Sequence, residues 1–325
     1  MNYHHLRIFQ KVSELGGHAR AAEALYISQP AVSAQLKRLE GELGIPLFEP
    51  DGRRNRLTWA GEVLYEYARS VFLLEEELME RLAELKGGSA GRVRLGASTT
   101  PGVYLLPSKL GRYQQAYPGV RLELKLGNTR TIEDRLLANE IDLAVIGEDT
   151  SRPPGLRIIP WLDDRLVFLA APTDPLISAG KVKRGDLEDT RFLLREEGSS
   201  TREVLMRHLS ARGVRLSRIM ELESTEAIKQ AAIAGLGITA LSSFTVELER
   251  EAGRLAILDV DEDLVPRRQL NLAVRNDKKL SPAAGSCLEF LIGEGSIQSP
   301  PSPTGKQQRR SAPKTPKAQR EAIAE

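Results

Sequence analysis

Near the N-terminus, apolar residues recur at three- and four-residue intervals, the period of helices that bury one face. Leu6, Phe9 and Val12 share a face of an opening helix over residues 3–15, and Ala21, Ala22 and Leu25 give the next helix a small-residue face for close packing. Ser28 then stands as an N-cap, and Pro30 falls in the first helical turn, where its missing N–H is no loss. Val32, Leu36, Leu39 and Leu43 repeat at i, i+4, i+7 and i+11, an inward stripe. Pro30, Ala34, Lys37 and Arg38 project to the far side, with Gln29 and Ser33 near the N-terminal end of the exposed surface. The segment LFEPDGRRNRLTWAG then sets Arg53, Arg54 and Arg56 in a Gly-containing turn before a Thr-capped helix. That helix, residues 59–86, is capped by Thr58 and ended by Gly87-Gly88. Leu64, Val71, Leu78 and Leu85 fall at seven-residue spacing, flanked by Tyr67, Leu74 and Leu82. Such a pattern suits a short coiled-coil seam and equally a helix packed on its own domain.

Past a hinge at Gly87-Gly88-Ser89-Ala90-Gly91 the pattern changes to alternating strand and helix. Strands are expected at 92–98, 120–127 and 141–147, with helices at 105–117 and 132–138 between them. A second series opens with a strand at 165–171 and runs through RFLLRE, a helix near Thr201, RIMELES, a helix from Thr225, and GITALSS. QLNLAVR (269–275) and a helix from Pro282 to Leu291 then close the chain's ordered part. The alternation predicts mostly parallel sheets covered by helices, in two α/β lobes joined by crossings near residues 163 and 268.

The net charge of +2, with 28% charged residues, gives no global basic bias, so any affinity for nucleic acid must come from a local patch. One cysteine, Cys287, excludes an internal disulfide framework and suits a reducing cytoplasm. Neither a signal peptide nor a membrane span is expected, so the chain reads as cytoplasmic with no membrane partner. Four histidines (His4, His5, His18 and His208) and that cysteine show no metal-ligand spacing. His4 and His5 read as solvated positions. The tail from Ser296, rich in Pro, Ser, Gln, Lys and Arg, is expected to be disordered and passive, although Arg309, Arg310, Lys314 and Lys317 offer nonspecific attraction to DNA.

The two helices ending in HARAAEALYISQPAVSAQLKRLEGEL fit a helix-turn-helix, the second helix offering its N-terminal side chains to base edges and its cations to phosphates. Periodicity alone fits any two amphipathic helices with a Ser cap. The run AAEALYISQPAVSAQLKRLEGELGIPLF, followed by R-x-x-R-x-LT-x-AG from Arg53 to Gly61, resembles the N-terminal domain of LysR-type transcriptional regulators, and the likeness continues more loosely to about Gly293. His18 stands where the family usually has an aromatic such as Phe, and Ala34 and Pro50 where it often has Arg. The resemblance implies a winged helix-turn-helix (1–58), a linker and dimerisation helix with hinge (59–88), and a two-lobed α/β effector-binding domain (89–294) similar to periplasmic solute-binding proteins. Lobe I would comprise 89–163 and 268–294, lobe II 164–267, leaving 295–325 as the tail. Candidate DNA contacts are Ser28, Gln29, Pro30, Ser33, Lys37, Arg38, Arg53, Arg54 and Arg56. The implied partners are double-stranded DNA, a second copy joined through the linker helix (with a tetramer as the larger assembly), and RNA polymerase.

In open α/β sheets, ligands lie beyond the carboxyl ends of the strands, and helix N-termini there favour anions. Those ends carry Ser98, Thr99 and Thr100, then Gly147, then Ser199, Ser200 and Thr201, and then Thr225. Each hydroxyl is singly an ordinary cap. The EEGSSTR run resembles the family's ligand loop, which singles out Ser199 to Thr201; Arg202 could add a charge-assisted bond or face solvent. No cofactor is expected, only a small anionic effector. Three classes of function compete: a ligand-responsive DNA-binding regulator, a binding protein assembled by its N-terminal helices, and a two-lobed enzyme. No nucleophile and base at a known spacing, Walker loop or dinucleotide fingerprint supports the third.

Overall fold

The computed structural model describes residues 2–51, 54–85, 91–148 and 153–295. Arg53, the hinge from Gly87 to Ala90 and the tail from Ser296 therefore lie outside the described residues, as does the side chain of Arg54. Three helices open the chain: α1 (Tyr3–Leu15), α2 (His18–Ala24) and α3 (Gln29–Leu43). Ser28 caps α3 as its sequence predicts, its side chain accepting from Ala31 N at 3.3 Å, and Gly44 ends the helix in the left-handed region. Val32, Leu36 and Leu39 are buried against Leu6, Phe9, Val12, Ala21 and Ala22, and this one core unites the bundle. His18 packs near the Phe48 ring, centroids 6.1 Å apart, an aromatic use of the position. His5 is a correction. It is buried rather than solvated, with Nδ1 3.4 Å from the Glu42 carboxylate, because its place on α1 falls on the core face beside Leu6 and Phe9.

The wing is a short hairpin, β1 (Phe48–Asp51) paired antiparallel with β2 (Arg54–Leu57). Thr58 then caps α4 (Trp59–Leu85), accepting from Gly61 N at 3.0 Å. Gly61 is needed there, since a Cβ would fall 2.2 Å from the Leu47 carbonyl oxygen. The seven-residue repeat splits between two faces of α4. Leu64 turns inward with Ala68 and Phe72 onto the bundle core, whereas Val63, Tyr67, Val71, Leu74, Leu78 and Leu82 form an exposed apolar stripe. One face of the helix thus packs on its own domain, and the other is apolar and exposed. The side chain of Leu85 lies outside what the structure describes.

The remaining chain alternates as expected, with differences where its two crossings occur. Lobe I holds β3 (Arg92–Ser98), a π-helical turn (Pro101–Leu105), α5 (Leu106–Ala116), β4 (Arg121–Gly127), α6 (Thr129–Leu137) and β5 (Leu143–Gly147). β6 (Leu156–Ala170) then leaves for lobe II. There follow α7 (Pro175–Ser178), α8 (Arg184–Asp189), β7 (Arg191–Leu194), α9 (Ser200–Ser210), β8 (Arg218–Glu221), α10 (Thr225–Ile233), β9 (Thr239–Ser242), α11 (Glu247–Glu251) and β10 (Ala256–Ile257). β11 (Arg267–Arg275) returns to lobe I, and α12 (Pro282–Gly295) covers it.

β3 runs parallel to β4 and β5, but β11 lies antiparallel to both β5 and β6, so the sheet is mixed rather than mostly parallel. β6 begins nine residues earlier than the strand expected at 165, because Pro160 and the Asp163-Asp164 pair interrupt the alternation that marks a strand. Its first part pairs with β11 in lobe I, and from Leu166 it pairs with β9 in lobe II. Arg268 and Asp164 face each other in that register, where the chain passes between lobes. Each lobe has its own core: Leu95, Val145, Leu272, Trp161 and Cys287 in lobe I, and Phe168, Phe192, Leu205 and Ile238 in lobe II. Among the described residues no helix is long and apolar enough to cross a membrane, and no cluster of metal-ligating side chains occurs.

Candidate DNA-binding surface and interlobe anion site

The α3 stripe that buries Val32, Leu36 and Leu39 leaves the opposite flank open. Ser28, Gln29, Pro30, Lys37 and Arg38 are exposed and Ser33 is half-buried, so one helix face brings them together. No ion pair involving Lys37 or Arg38 is found among the described residues, which leaves their charges to solvent or to a phosphate. In the wing, Arg56 is exposed but lies against Glu49 across the hairpin, its Nε 3.1 Å from Oε1. Ala34 and Pro50 are likewise exposed, so what they lack relative to the family is surface charge and not core volume.

The cleft between the lobes is organised by two arginines that local sequence reasoning did not single out. Arg268, at the start of β11, is buried against Asp164, its Nε donating to Oδ2 at 2.7 Å, and Ser242 Oγ donates to the other carboxylate oxygen at 2.7 Å. Arg268 Nη1 then donates to Ser200 Oγ at 3.0 Å and Thr201 Oγ1 at 2.9 Å in lobe II, and Nη2 to Thr100 Oγ1 at 3.2 Å in lobe I. Arg195, just beyond β7, also spans the cleft: Nη1 donates to Thr225 Oγ1 at 3.0 Å and Nη2 to Thr99 Oγ1 at 3.3 Å. Its Nε and Nη2 grip Glu196 at 2.7 and 2.9 Å. Further ties close the same edge. Asn128 Nδ2 donates to the Glu197 carbonyl, and Arg130 N to the Gly198 carbonyl, both at 3.3 Å.

These side chains line a partly open cavity of about 10 Å³, formed by Ser98, Thr99, Thr100, Asn128, Thr129, Arg195, Ser199, Ser200, Thr201 and Arg268. Six of the eight hydroxyl and glycine positions expected from sequence thus meet here. The other two stand just behind. Gly147 N donates to Ser98 Oγ at 3.2 Å, and a Cβ on Gly147 would fall 1.9 Å from Ser200 Oγ, so this glycine permits close approach of the lobes. Thr225 backs the Arg195 guanidinium. Two features leave the cavity short of partners. Among the described residues, Ser199 is the N-cap of α9 yet makes no side-chain capping bond, and Thr129 Oγ1, at the first position of α6, is buried with no hydrogen-bond partner. Helix N-termini with free donors attract negative charge. Arg202 does not enter the cavity. Its Nη1 donates to the Arg195 carbonyl at 3.0 Å and also bonds Glu221.

Beside the cavity a second contact spans the lobes. Tyr104, in the π-helical turn, donates its hydroxyl to Glu226 of α10. Beneath them the buried Lys229 amine donates to Glu249 Oε1 at 2.7 Å and to the Thr245 carbonyl at 3.1 Å. Burial and the Glu226 carboxylate push the Tyr104 hydroxyl up to about 12. Lys229 is held above the usual lysine range: burial opposes its charge, but Glu226 and Glu249 outweigh it. The Cys287 thiol, deep in lobe I, is pushed up to about 12 by burial alone. Arg195, Arg268 and Asp164 escape sequence reasoning because each is chosen by a long-range contact, and Thr129 because only packing shows its hydroxyl to be buried. The available signal was a charge at the edge of an apolar strand, as in RFLLREE and VPRRQLNL.

Comparison with known proteins agrees with this architecture. Residues 3–62 match the model of the bacterial regulatory helix-turn-helix protein, lysR family, and residues 86–296 that of the LysR substrate binding domain. The RuBisCO operon transcriptional regulator of Allochromatium vinosum is 38% identical over 289 residues, covering 89% of this chain and 95% of its own. The regulatory domain of CcmR from Synechocystis PCC6803, solved in complex with 2-PG, is 35% identical with a TM-score of 0.59, covering 64% of this chain and 99% of its own. CbnR, a LysR family transcriptional regulator, shares the fold at a TM-score of 0.69 and 22% identity, over 91% of this chain and 99% of its own. With a capped recognition helix in one matched region and a two-lobed cleft in the other, the chain belongs to the LysR family of DNA-binding transcriptional regulators.

Proposed function

We propose that this regulator responds to a small phosphorylated or similarly oxygen-rich anion held in the interlobe cavity. The observation that carries the reading is the convergence of Arg195, Arg268, the free Ser199 cap and the unpartnered Thr129 hydroxyl on one small polar cavity. A phosphoryl oxygen would accept from Thr129, Ser199 and the α9 N-terminus, with the arginines adding charge-assisted bonds. The 2-PG bound by the CcmR domain is an anion of this class. Ser98, Thr99, Thr100, Ser200 and Thr201 would shape the cavity, Gly147 would admit the opposing lobe, and Thr225 would hold Arg195.

The rest of the molecule suits a dyad reader. Residues 1–58 would form the DNA-binding domain, 59–88 the dimerisation helix and hinge, and 89–294 the effector domain, with 295–325 as a tail. The exposed stripe of Val63, Tyr67, Val71, Leu74, Leu78 and Leu82 on α4 would pair with a second copy, placing two recognition helices about one DNA turn (~34 Å), or a multiple of it, apart. A tetramer built from two such dimers, a cytoplasmic location and contact with RNA polymerase fit the same role. Anion binding would change lobe closure, because Arg268 and Arg195 each bond to both lobes, and closure would alter how the dimers sit on the promoter.

The test titrates the full chain with 2-phosphoglycolate and inorganic phosphate, and with glycolate as a phosphate-free control, by calorimetry and by footprinting on its upstream DNA. Saturable binding of the phosphate compound with a changed footprint is expected. If neither inorganic phosphate nor 2-phosphoglycolate binds, or binding leaves the footprint unaltered, the reading is wrong.

A further inference from the structure

The two cleft arginines differ in what neutralises them. Asp164, the partner of Arg268, is 0% exposed in its side chain and is bonded also by Ser242. It is a fixed structural carboxylate. Glu196, the partner of Arg195, is 17% exposed, and among the described residues its carboxylate bonds to nothing but that guanidinium. Glu196 also follows Arg195 directly in the chain, at the start of a turn in which Ser199 N donates to the Glu196 carbonyl and Gly198 adopts a φ of +80°. Its side chain can therefore leave for water by a change of rotamer, without moving a helix or strand.

The contact it makes is the one an oxyanion would want. Two parallel N–H groups of a guanidinium, Nε and Nη2, match a carboxylate or phosphate with two bonds at once, the strongest geometry arginine offers. Glu196 occupies that edge of Arg195, while Nη1 is taken by Thr225. Nη2 also reaches Thr99, which lines the cavity, so the edge borders the space in question. With Arg268 offset by Asp164 and Arg195 by Glu196, the formal charge of these four groups is nil.

We infer that Glu196 is a built-in competitor for the effector: its carboxylate holds the bidentate edge of Arg195 and must be displaced for the anion to bind with full affinity. The inference rests on the anion reading of the cleft and adds a threshold to it. A weakly charged or monodentate anion cannot displace a tethered carboxylate, whose effective concentration is high, whereas a phosphate monoester can. Glu196 thus selects for a compact, doubly charged ligand and sets the concentration at which the regulator responds.

The decisive variant is Glu196→Gln, which keeps shape and removes the competing charge. Glu197→Gln, at the exposed neighbouring position, makes the same change in net charge and serves as the control. Binding of 2-phosphoglycolate and of inorganic phosphate to the full chain is measured by calorimetry for wild type and both variants. Glu196→Gln should bind 2-phosphoglycolate about tenfold tighter than wild type, the scale of one charge-assisted bond released to the ligand, with Glu197→Gln within about twofold. Inorganic phosphate should gain as well. Equal affinities for Glu196→Gln and wild type, equal gains in both variants, or weaker binding in Glu196→Gln would overturn the inference while leaving the anion site intact; the last outcome would make Glu196 a support for Arg195. If no form binds either anion, and Arg195→Ala is equally silent, the anion reading itself falls and takes this inference with it.

Discussion

The recognition helix and the interlobe cleft both carry arginine or lysine, yet they are built on opposite principles. On α3 the cations Lys37 and Arg38 are exposed and carry no ion pair among the described residues. They keep their hydration until a phosphate takes its place, so they supply attraction that salt screens. In the cleft, Arg195 and Arg268 are buried, each matched to a carboxylate and to hydroxyls of both lobes. A buried charge without a partner is too costly to keep, so an anion entering the cleft would have to exchange partners with these groups rather than meet free charge. The surface suits a long polyanion met at many places. The cleft suits one small ion recognised by geometry.

The largest effect should separate the two kinds of cation by stability. Arg268→Ala strands Asp164 in the interior and should cost about 3–5 kcal/mol, seen as an earlier effector-domain transition in urea, while Arg38→Ala should stay within about 0.5 kcal/mol of wild type. Comparable losses in both would erase the distinction. A subtler change concerns Thr129. Thr129→Val removes a buried hydroxyl that has no partner, so the free protein should be as stable as wild type or more so. The same variant should lose about 1.5–3 kcal/mol of affinity for 2-phosphoglycolate if that hydroxyl donates to a charged oxygen. Lower stability with unchanged affinity would place Thr129 outside the site.

On the DNA side, Gln29→Ala should reduce discrimination between operator and random duplex by about 1–3 kcal/mol. Lys37→Ala should weaken both alike and lower the salt slope by about one. A Gln29 variant that loses equally on all sequences would show that this residue contacts only the backbone. The smallest expected effect is none. With its thiol pushed up to about 12, Cys287 is neutral at pH 7, and native protein should resist alkylation and keep both binding activities under mild oxidant.

How legible each region was follows from how far apart its determinants lie. Ser28, Pro30, Val32, Leu36 and Leu39 sit within a dozen residues and speak through helix period and capping, which are local rules. The hydroxyls that line the cleft were legible for a related reason: they stand at helix starts beyond strand ends, where the α/β pattern puts ligands. His5 and Leu64 show the limit even of local reading. Both belong to a visible helical period, but only packing revealed that His5 is covered and that Leu64 turns away from the exposed stripe.

By itself the sequence determined the helix-turn-helix, its caps, the long helix and the succession of strands in two lobes, because each depends on neighbours a few residues away. The tertiary structure decided which charges are buried and what they meet. Arg268 reaches Thr100 across 168 positions of chain, and Arg195 reaches Thr99 across 96. Nothing in a local pattern specifies contacts at such separations; they arise when β6 and β11 bring two separately cored lobes together, and burial then requires every charge between them to find a partner.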